Sequence, residues 1–120
     1  GPFIQYTHAR ICAILRRAGE CPAPDIAALF SLAQEERELL IQLCEYEKVI
    51  QSAIEKYDPS EVANYVYNLA KLYNKFYHEQ PILTATDEAV KTMRVTLSAA
   101  TGSIIRKAMH LLGIEVPEKM

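Results

Sequence analysis

Two aromatic residues and an arginine near the start of the chain have the spacing needed to bind an unpaired nucleotide. Tyr6 and Arg10 are four residues apart, and Phe3 lies nearly on the same line of an α-helix. Aromatic rings stack on unstacked bases, and a guanidinium group donates hydrogen bonds to a phosphate or a base edge. The alternative is one buried ring beside an ordinary surface arginine, and spacing alone favours this second interpretation.

Four of the seven tyrosines lie in one later segment, at positions 65, 67, 73 and 77. Helical periodicity places Tyr65 and Tyr73 on the apolar stripe, Tyr77 at its rim and Tyr67 on the exposed side. A rim tyrosine offers its ring face to an unstacked base and its hydroxyl as a hydrogen-bond partner. Its simpler role is to close the core while its hydroxyl stays in water. On spacing alone, this simpler role is the favoured one.

No pattern of catalytic residues is found. The four glycines are too widely spaced to form a phosphate-binding loop, and the three histidines lack the spacing of metal ligands. The neighbouring carboxylates Glu35, Glu36 and Glu38 fit a solvated helix face better than a catalytic pair. We therefore expect this chain by itself to catalyse nothing and to hold neither a metal nor a cofactor.

Length and composition are those of one globular domain. The chain has 120 residues, half of them apolar, which argues against disorder. No apolar run approaches the roughly 20 residues of a membrane span, and the beginning of the chain lacks the pattern of a signal peptide. Three widely spaced cysteines predict a reduced, cytosolic protein, in which Cys12 is a small buried hydrophobe.

The net charge of −2 is unevenly distributed along the chain. Residues 1–19 carry a charge of +3, residues 20–61 carry −7 and residues 62–120 carry +2. One interpretation is a solvated acidic helix face together with ordinary surface arginines. The other is that the two basic ends meet and form a basic surface. Charge alone favours the first interpretation, and it gives no overall sign of a nucleic-acid-binding protein.

Apolar residues recur with helical periodicity nearly throughout, and no segment alternates convincingly as a strand. Asp25 is predicted to cap a short turn that extends to residue 29. Residues 45–47 are either a break between two helices or a continuation, and the pattern leaves both open. The main helices are predicted over residues 3–19, from about residue 33, from 58 to about 78, and from 86 or 87 to about 112. We expect an all-α, antiparallel-leaning bundle of about five helices.

Capping residues mark several of these helix boundaries. Asp58 followed by Pro59 is typical of a helix start, and Gly113 is typical of a helix end. Gly102, inside the last helix, indicates a close contact between helices or a bend. Two apolar stripes are predicted to face the core on either side of the undecided segment: Leu39, Leu40, Leu43 and Cys44, and then Val49, Ile50, Ala53 and Ile54.

Three sequence blocks together resemble the C-terminal anticodon-binding domain of arginyl-tRNA synthetases. The first is GPFIQYTHARI at residues 1–11, and the second is YVYNLAKLYNKFY at residues 65–77. The third combines Arg94 and Leu97 with LLGIEVPEKM at residues 111–120. The blocks occur in the family's order and extend from the first residue to the last.

The resemblance implies an all-α class I synthetase domain that occupies residues 1–120 as the C-terminal fragment of a larger enzyme. That enzyme, an arginine–tRNA ligase, joins arginine to its tRNA using ATP. Its catalytic domain lies upstream, with ATP and magnesium expected there, and the fragment itself needs no cofactor. The implied partners are the anticodon loop of arginine tRNA and the upstream catalytic domain, in the cytoplasm, with neither DNA nor a membrane involved.

The resemblance also implies which residues bind the anticodon loop. Carried over position by position, they are Phe3, Tyr6, Arg10, Tyr77 and Met120. Phe3 stands where the family more often has tyrosine, so stacking is retained and a hydroxyl contact is lost. The alternative hypothesis is a helical protein-interaction module that has kept this fold without binding RNA.

Overall fold

The computed structural model describes residues 2–114, 116 and 118, and within them it contains α-helices, one short 3₁₀ helix and no strand. The 3₁₀ helix spans Ile26–Ser31 and is capped by Asp25, as predicted. The helical content of the described residues confirms the expected all-α bundle. None of the helices in this described part is long and apolar enough to span a membrane. The five α-helices are α1 (Pro2–Ala18), α2 (Gln34–Cys44), α3 (Tyr46–Lys56), α4 (Pro59–Glu79) and α5 (Glu88–Leu111).

The two longest helices begin at the predicted capping residues. Asp58 caps α4 because its Oδ1 accepts a hydrogen bond from the backbone amide of Ser60 at 3.0 Å, with Pro59 at the first helical position. Asp87 caps α5 by accepting from the backbone amides at positions 89 and 90. Asp87, rather than Thr86, is therefore the capping residue of the last helix.

Gly113 ends α5 as predicted. It follows the C-cap residue Leu112 with a φ of 78°, a left-handed conformation that glycine adopts without steric cost. Its amide donates to the carbonyl of His110 at 2.9 Å, and the amide of Ile114 donates to the carbonyl of Met109 at 2.9 Å. These two bonds satisfy carbonyl groups that the end of a helix leaves without partners.

The undecided segment is a break between two helices, centred on Glu45. The hydroxyl of Tyr65 on α4 donates to the carbonyl oxygen of Gln42. The amide of Glu45 donates to that same oxygen, at 3.2 Å. In a continuous helix this oxygen would accept from the amide of Tyr46. A side chain from another helix therefore separates α2 from α3.

Helix α4 lies at the centre of the bundle and packs against each of the other four α-helices. Phe3 meets Tyr67, and Arg10 meets Tyr77, so α1 and α4 run in the same direction. The hydrogen bonds, ion pairs and ring contacts between α4 and its other neighbours show that α2, α3 and α5 run opposite to it. The first helix, α1, packs against the last helix, α5.

The core is formed where these helices converge on α4. Its fully buried side chains include two aromatic rings of α4 and branched apolar residues of α1, α2, α4 and α5. They are Ile11, Leu39, Val66, Leu69, Tyr73, Phe76 and Ile105.

Two residues of the predicted apolar stripes do not reach this core. Cys44 on α2 and Ile54 on α3 are both exposed, whereas Leu39 and Ala53 are buried. Cys44 and Ile54 each lie at the edge of an apolar stripe, and each stripe is wider than the part of its helix that α4 covers. Cys12 is half-buried rather than fully buried.

Gly102 marks a close contact between helices, one of its two predicted roles. A Cβ atom built on Gly102 would lie 2.8 Å from Cγ2 of Ile11, closer than two carbon atoms pack. Both residues are buried. The absence of a side chain at this position lets α5 approach α1, the helix that carries Tyr6 and Arg10.

A buried ionic cluster, which we call the Arg94 network, joins α2, α4 and α5. Arg94 is 9% exposed, and its Nη1 donates to the carbonyl of Pro81 at 2.7 Å. Its Nη2 donates to Oε1 of Gln80 at 3.0 Å, and its Nε lies 3.6 Å from Oε2 of Glu36. Glu36, predicted to lie on a solvated helix face, is instead buried, and its other oxygen accepts from the amide of Ala33 at 2.9 Å. The guanidinium charge is therefore offset inside the protein.

Candidate nucleic-acid interface

Arg10 and Tyr77 form one contact although they lie 67 positions apart in the sequence. The central carbon of the guanidinium group is 4.3 Å from the centre of the tyrosine ring. This is the geometry of a cation–π pair, and its planar groups are also those that stack on bases. Tyr77 is 36% exposed, which agrees with its predicted position at the rim of the core.

Asn74 holds Arg10 in place. Its Oδ1 accepts a hydrogen bond from Nη1 of Arg10, and its Nδ2 donates at 2.8 Å both to Oγ1 of Thr7 and to the carbonyl of Ala70. Thr7 in turn donates to the carbonyl of Phe3 at 2.9 Å. The side chain that positions Arg10 is therefore fixed on both helices, and it is neutral.

The two other candidates on α1 differ in what surrounds them. Tyr6 is 60% exposed and lies one turn before Arg10. The ring of Phe3 meets the ring of Tyr67 edge-on, with centres 5.6 Å apart and an angle of 63° between the planes. Phe3 therefore has a protein partner on one side. Tyr67 is exposed, as predicted. The ammonium group of Lys71 lies 5.3 Å from the centre of the Tyr67 ring.

These residues form one continuous surface along the two parallel helices. We call it the α1–α4 surface and define it by seven side chains: Phe3, Tyr6, Arg10, Tyr67, Lys71, Asn74 and Tyr77. Sequence reasoning assigned no role to Asn74, Tyr67 or Lys71. The spacing of four residues between Tyr67 and Lys71 could have predicted their contact on one helix face. The register between α1 and α4, which brings both residues to Phe3, cannot be predicted from the local sequence.

Met120, the last candidate, lies outside the described residues. Glu118 is described, and its charge acts on Cys12 of α1. Burial is the largest cause that raises the pKa of the Cys12 thiol, and the negative charge of Glu118 is the next. The positive charges of Arg16 and Arg106 lower this pKa. Groups from α1, α5 and the tail therefore surround one thiol.

The two tyrosines predicted to be core use their hydroxyls inside the protein. Tyr73 is buried and its hydroxyl lies 2.8 Å from Oγ of Ser98, and burial raises the pKa of the tyrosine above its ordinary value. Burial raises the pKa of Tyr65 as well, and its hydroxyl donates to Gln42. These rings stabilise the fold, which leaves Tyr67 and Tyr77 as the exposed tyrosine rings of α4.

Among the described residues, no three histidine, cysteine or acidic side chains are grouped so that they could hold a metal ion. The surface offers ring faces and cations, which bind by stacking and by charge.

Residues 4–120 match the DALR anticodon binding domain family. Over its whole length the chain is 48% identical to the arginine–tRNA ligase of Phocaeicola vulgatus and covers 20% of it. It is 46% identical to the arginine–tRNA ligase of Bacteroides thetaiotaomicron and covers 21% of that protein. The chain thus spans about a fifth of the length of the curated relatives it matches.

A solved structure shows the same architecture. The arginyl-tRNA synthetase of Thermus thermophilus matches the whole of this chain with a TM-score of 0.91 and 35% identity, over 21% of its own length. The resemblance first seen in three sequence blocks is confirmed by these comparisons. The chain belongs to the DALR anticodon binding domain family.

Proposed function

We propose that this chain binds the anticodon loop of arginine tRNA as one domain of a larger arginine–tRNA ligase. The observation that carries the proposal is the Arg10–Tyr77 pair. It presents a guanidinium group and a ring face together at the surface, and the neutral side chain of Asn74 holds it. Unstacked loop bases are bound by aromatic rings and guanidinium planes of this kind.

Each residue of the proposed site has a distinct role. Tyr77 and the exposed Tyr6 stack on bases, and Arg10 binds a phosphate or a base edge. Phe3 is 39% exposed and offers the part of its ring that Tyr67 leaves uncovered. Met120 closes the site, a role that rests on the family resemblance alone.

In the larger ligase this domain acts at a distance from the chemistry. Residues 1–120 form its C-terminal domain, and the catalytic domain lies upstream and binds ATP and magnesium. Binding of the anticodon loop positions the acceptor end of the tRNA in that catalytic domain. The partners are therefore arginine tRNA and the ligase's own catalytic domain, in the cytoplasm.

The test is the binding of a fluorescently labelled anticodon hairpin from an arginine tRNA, followed by anisotropy. We expect tighter binding than to a hairpin with the anticodon of another tRNA. Tyr77→Ala is expected to weaken binding about 5- to 150-fold, the range measured for loss of one stacked base. Arg10→Met should weaken binding. A larger loss for the arginine hairpin would assign Arg10 to a base edge, and an equal loss for both hairpins would assign it to a phosphate. Arg37→Met, which removes an exposed arginine from α2, is the matched control and should change little.

A second candidate function is the protein-interaction module. It is favoured by an apolar groove of about 470 Å³ between α3 and the ends of α4 and α5, whose lining includes the exposed Ile54, Tyr57 and Leu111. The same experiment separates the two functions. A chain that binds neither hairpin, or binds both equally with no effect of Arg10→Met, would contradict anticodon recognition.

A further inference from the structure

The end of the α1–α4 surface opposite Arg10 has its own pairing of a cation with a ring. Lys71 lies over Tyr67, and the ring of Phe3 on α1 meets the ring of Tyr67 in an edge contact. Tyr67 is 49% exposed and Lys71 is exposed. A second potential contact for an anionic, partly planar ligand therefore exists on the same surface.

Lys71 differs from the other lysines of α3 and α4. Lys48, Lys56 and Lys75 each have a glutamate oxygen within 4 Å, at 3.9, 3.2 and 3.2 Å. Lys71 has no carboxylate at that distance among the residues the structure describes, and its recorded neighbour is the ring of Tyr67. Its charge is not offset by a nearby acid.

The distance between the two ends of the surface excludes a single nucleotide as the shared ligand. Tyr67 and Tyr77 are ten residues apart on one helix, which is about 15 Å along its axis. A ligand that contacts both must be a strand of several nucleotides. Lys71 contributes a mobile point charge rather than the fixed donor fork of an arginine, which suits phosphate and not a base edge.

We propose that Lys71 and Tyr67 bind the ribose–phosphate backbone of the RNA beyond the bases held by Arg10 and Tyr77. This rests on the proposed function, and it adds a subsite that is insensitive to sequence. Phosphate contacts fix the register of a nucleic acid and carry no sequence information. The Lys71 end of the surface therefore contributes affinity, and the Arg10 end contributes the preference for one anticodon.

The test measures the affinity of Lys71→Ala for both hairpins between about 50 and 200 mM salt. One phosphate contact to a single strand changes the slope of log affinity against log salt by about 0.7. Binding should be weaker by about eightfold at the lower salt concentration and about threefold at the higher one. Because a backbone contact ignores sequence, the loss should be the same for both hairpins. Lys48→Ala removes the same charge from α3 and should change neither affinity nor slope.

Tyr67 is tested by a matched pair of variants. Tyr67→Phe keeps the ring and its contact with Phe3, and it should bind as the native chain does. Tyr67→Ala removes the ring under Lys71 and should weaken both hairpins by the same factor, up to the roughly eightfold loss expected of Lys71→Ala. Thermal unfolding of both variants shows that the loss comes from a folded protein.

The outcomes separate this inference from the proposed function. If Lys71→Ala matches Lys48→Ala, or lowers the affinity of only the arginine hairpin, the backbone subsite is wrong, while the effects of Arg10→Met and Tyr77→Ala still stand. If the native chain binds neither hairpin, the inference and the proposed function both fail. A loss at Lys71 that is equal for both hairpins and depends on salt supports the subsite.

Discussion

Arg10 and Arg94 both reach α4, one at the α1–α4 surface and one in the Arg94 network, and their partners differ in charge. Arg94 is buried against a carboxylate, a carbonyl and an amide oxygen. Arg10 is half-buried, bonds to the neutral Asn74 and lies over an exposed ring. No carboxylate lies within 4 Å of Arg10 among the residues the structure describes. The charge of Arg94 is therefore offset within the protein, whereas the charge of Arg10 remains available to bind an anion.

The largest expected effect comes from removing the acid of the Arg94 network. Glu36→Gln leaves a buried guanidinium group without its counter-charge, and breaking a buried pair in this way costs about 3–5 kcal/mol. We expect the free energy of unfolding in urea to fall by about 3 kcal/mol, since the amide oxygen still accepts from Ala33. Arg10→Met should cost less than about 1 kcal/mol, as expected at a partly exposed site. If both variants lost equal stability, the contrast between the two arginines would be wrong.

An intermediate effect is expected when an acid is placed beside Arg10. Asn74→Asp turns the neutral partner of Arg10 into a carboxylate, and it also loses the two hydrogen bonds that Nδ2 donates to Thr7 and to the carbonyl of Ala70. We expect unfolding stability to fall by about 1–2 kcal/mol, because a partly exposed ion pair with Arg10 offsets only part of the loss of these two bonds. RNA affinity should fall about tenfold, because the guanidinium charge is then offset within the protein.

Asn74→Ala is the control for the previous variant, since it removes the positioning bond without adding charge. Asn74→Ala should lower the affinity for RNA less than Asn74→Asp does. It should leave the slope of log affinity against log salt nearly unchanged. Equal losses from the two variants would show that Asn74 acts by position alone, and that its neutrality has no importance.

The smallest expected effect lies at the exposed edge of the Arg94 network. Nε2 of Gln80 donates to Oε1 of Glu35 at 2.8 Å, and this hydrogen bond, followed by one to the backbone of Glu35, lowers the pKa of the carboxyl from its ordinary 4.5. A lowered pKa in the folded state stabilises the fold above pH 4.5, and this contribution is lost as the pH falls through the folded-state value. Glu35→Gln should therefore show a shallower loss of stability below pH 4.5 in acid titrations followed by circular dichroism. An unchanged acid profile would contradict this role.

Features set by neighbouring residues were predictable from the sequence. Asp58 with Pro59 and the glycine at position 113 act through backbone groups within a few positions, so their effect is visible in the local pattern. The burial of Tyr65 and Tyr73 and the exposure of Tyr67 and Tyr77 also follow from helical periodicity alone. These predictions are confirmed.

Features that depend on a second helix were not predictable. The break at Glu45 has its cause in the hydroxyl of Tyr65, twenty positions later. Asn74 acquires its role only because α1 runs beside α4 in the register that brings Arg10 to it. Spacing alone singled out Phe3, Tyr6, Arg10 and Tyr77 as candidates, and the family resemblance favoured their role in binding RNA. Their contact with RNA stays a prediction.

The contact between Gly102 and Ile11 couples two buried positions to the geometry of α1, the helix that carries Tyr6 and Arg10. A methyl group added to Gly102 has to be accommodated either by moving α1 outward, with Tyr6 and Arg10 on it, or by removing the branch at Cβ of residue 11. Replacing Ile11 by leucine removes that branch while conserving volume. The effects of substitutions at these two positions are therefore expected to be non-additive. Substitutions tolerated at Gly102 and Ile11 should therefore occur as compensating pairs, although neither residue belongs to the α1–α4 surface.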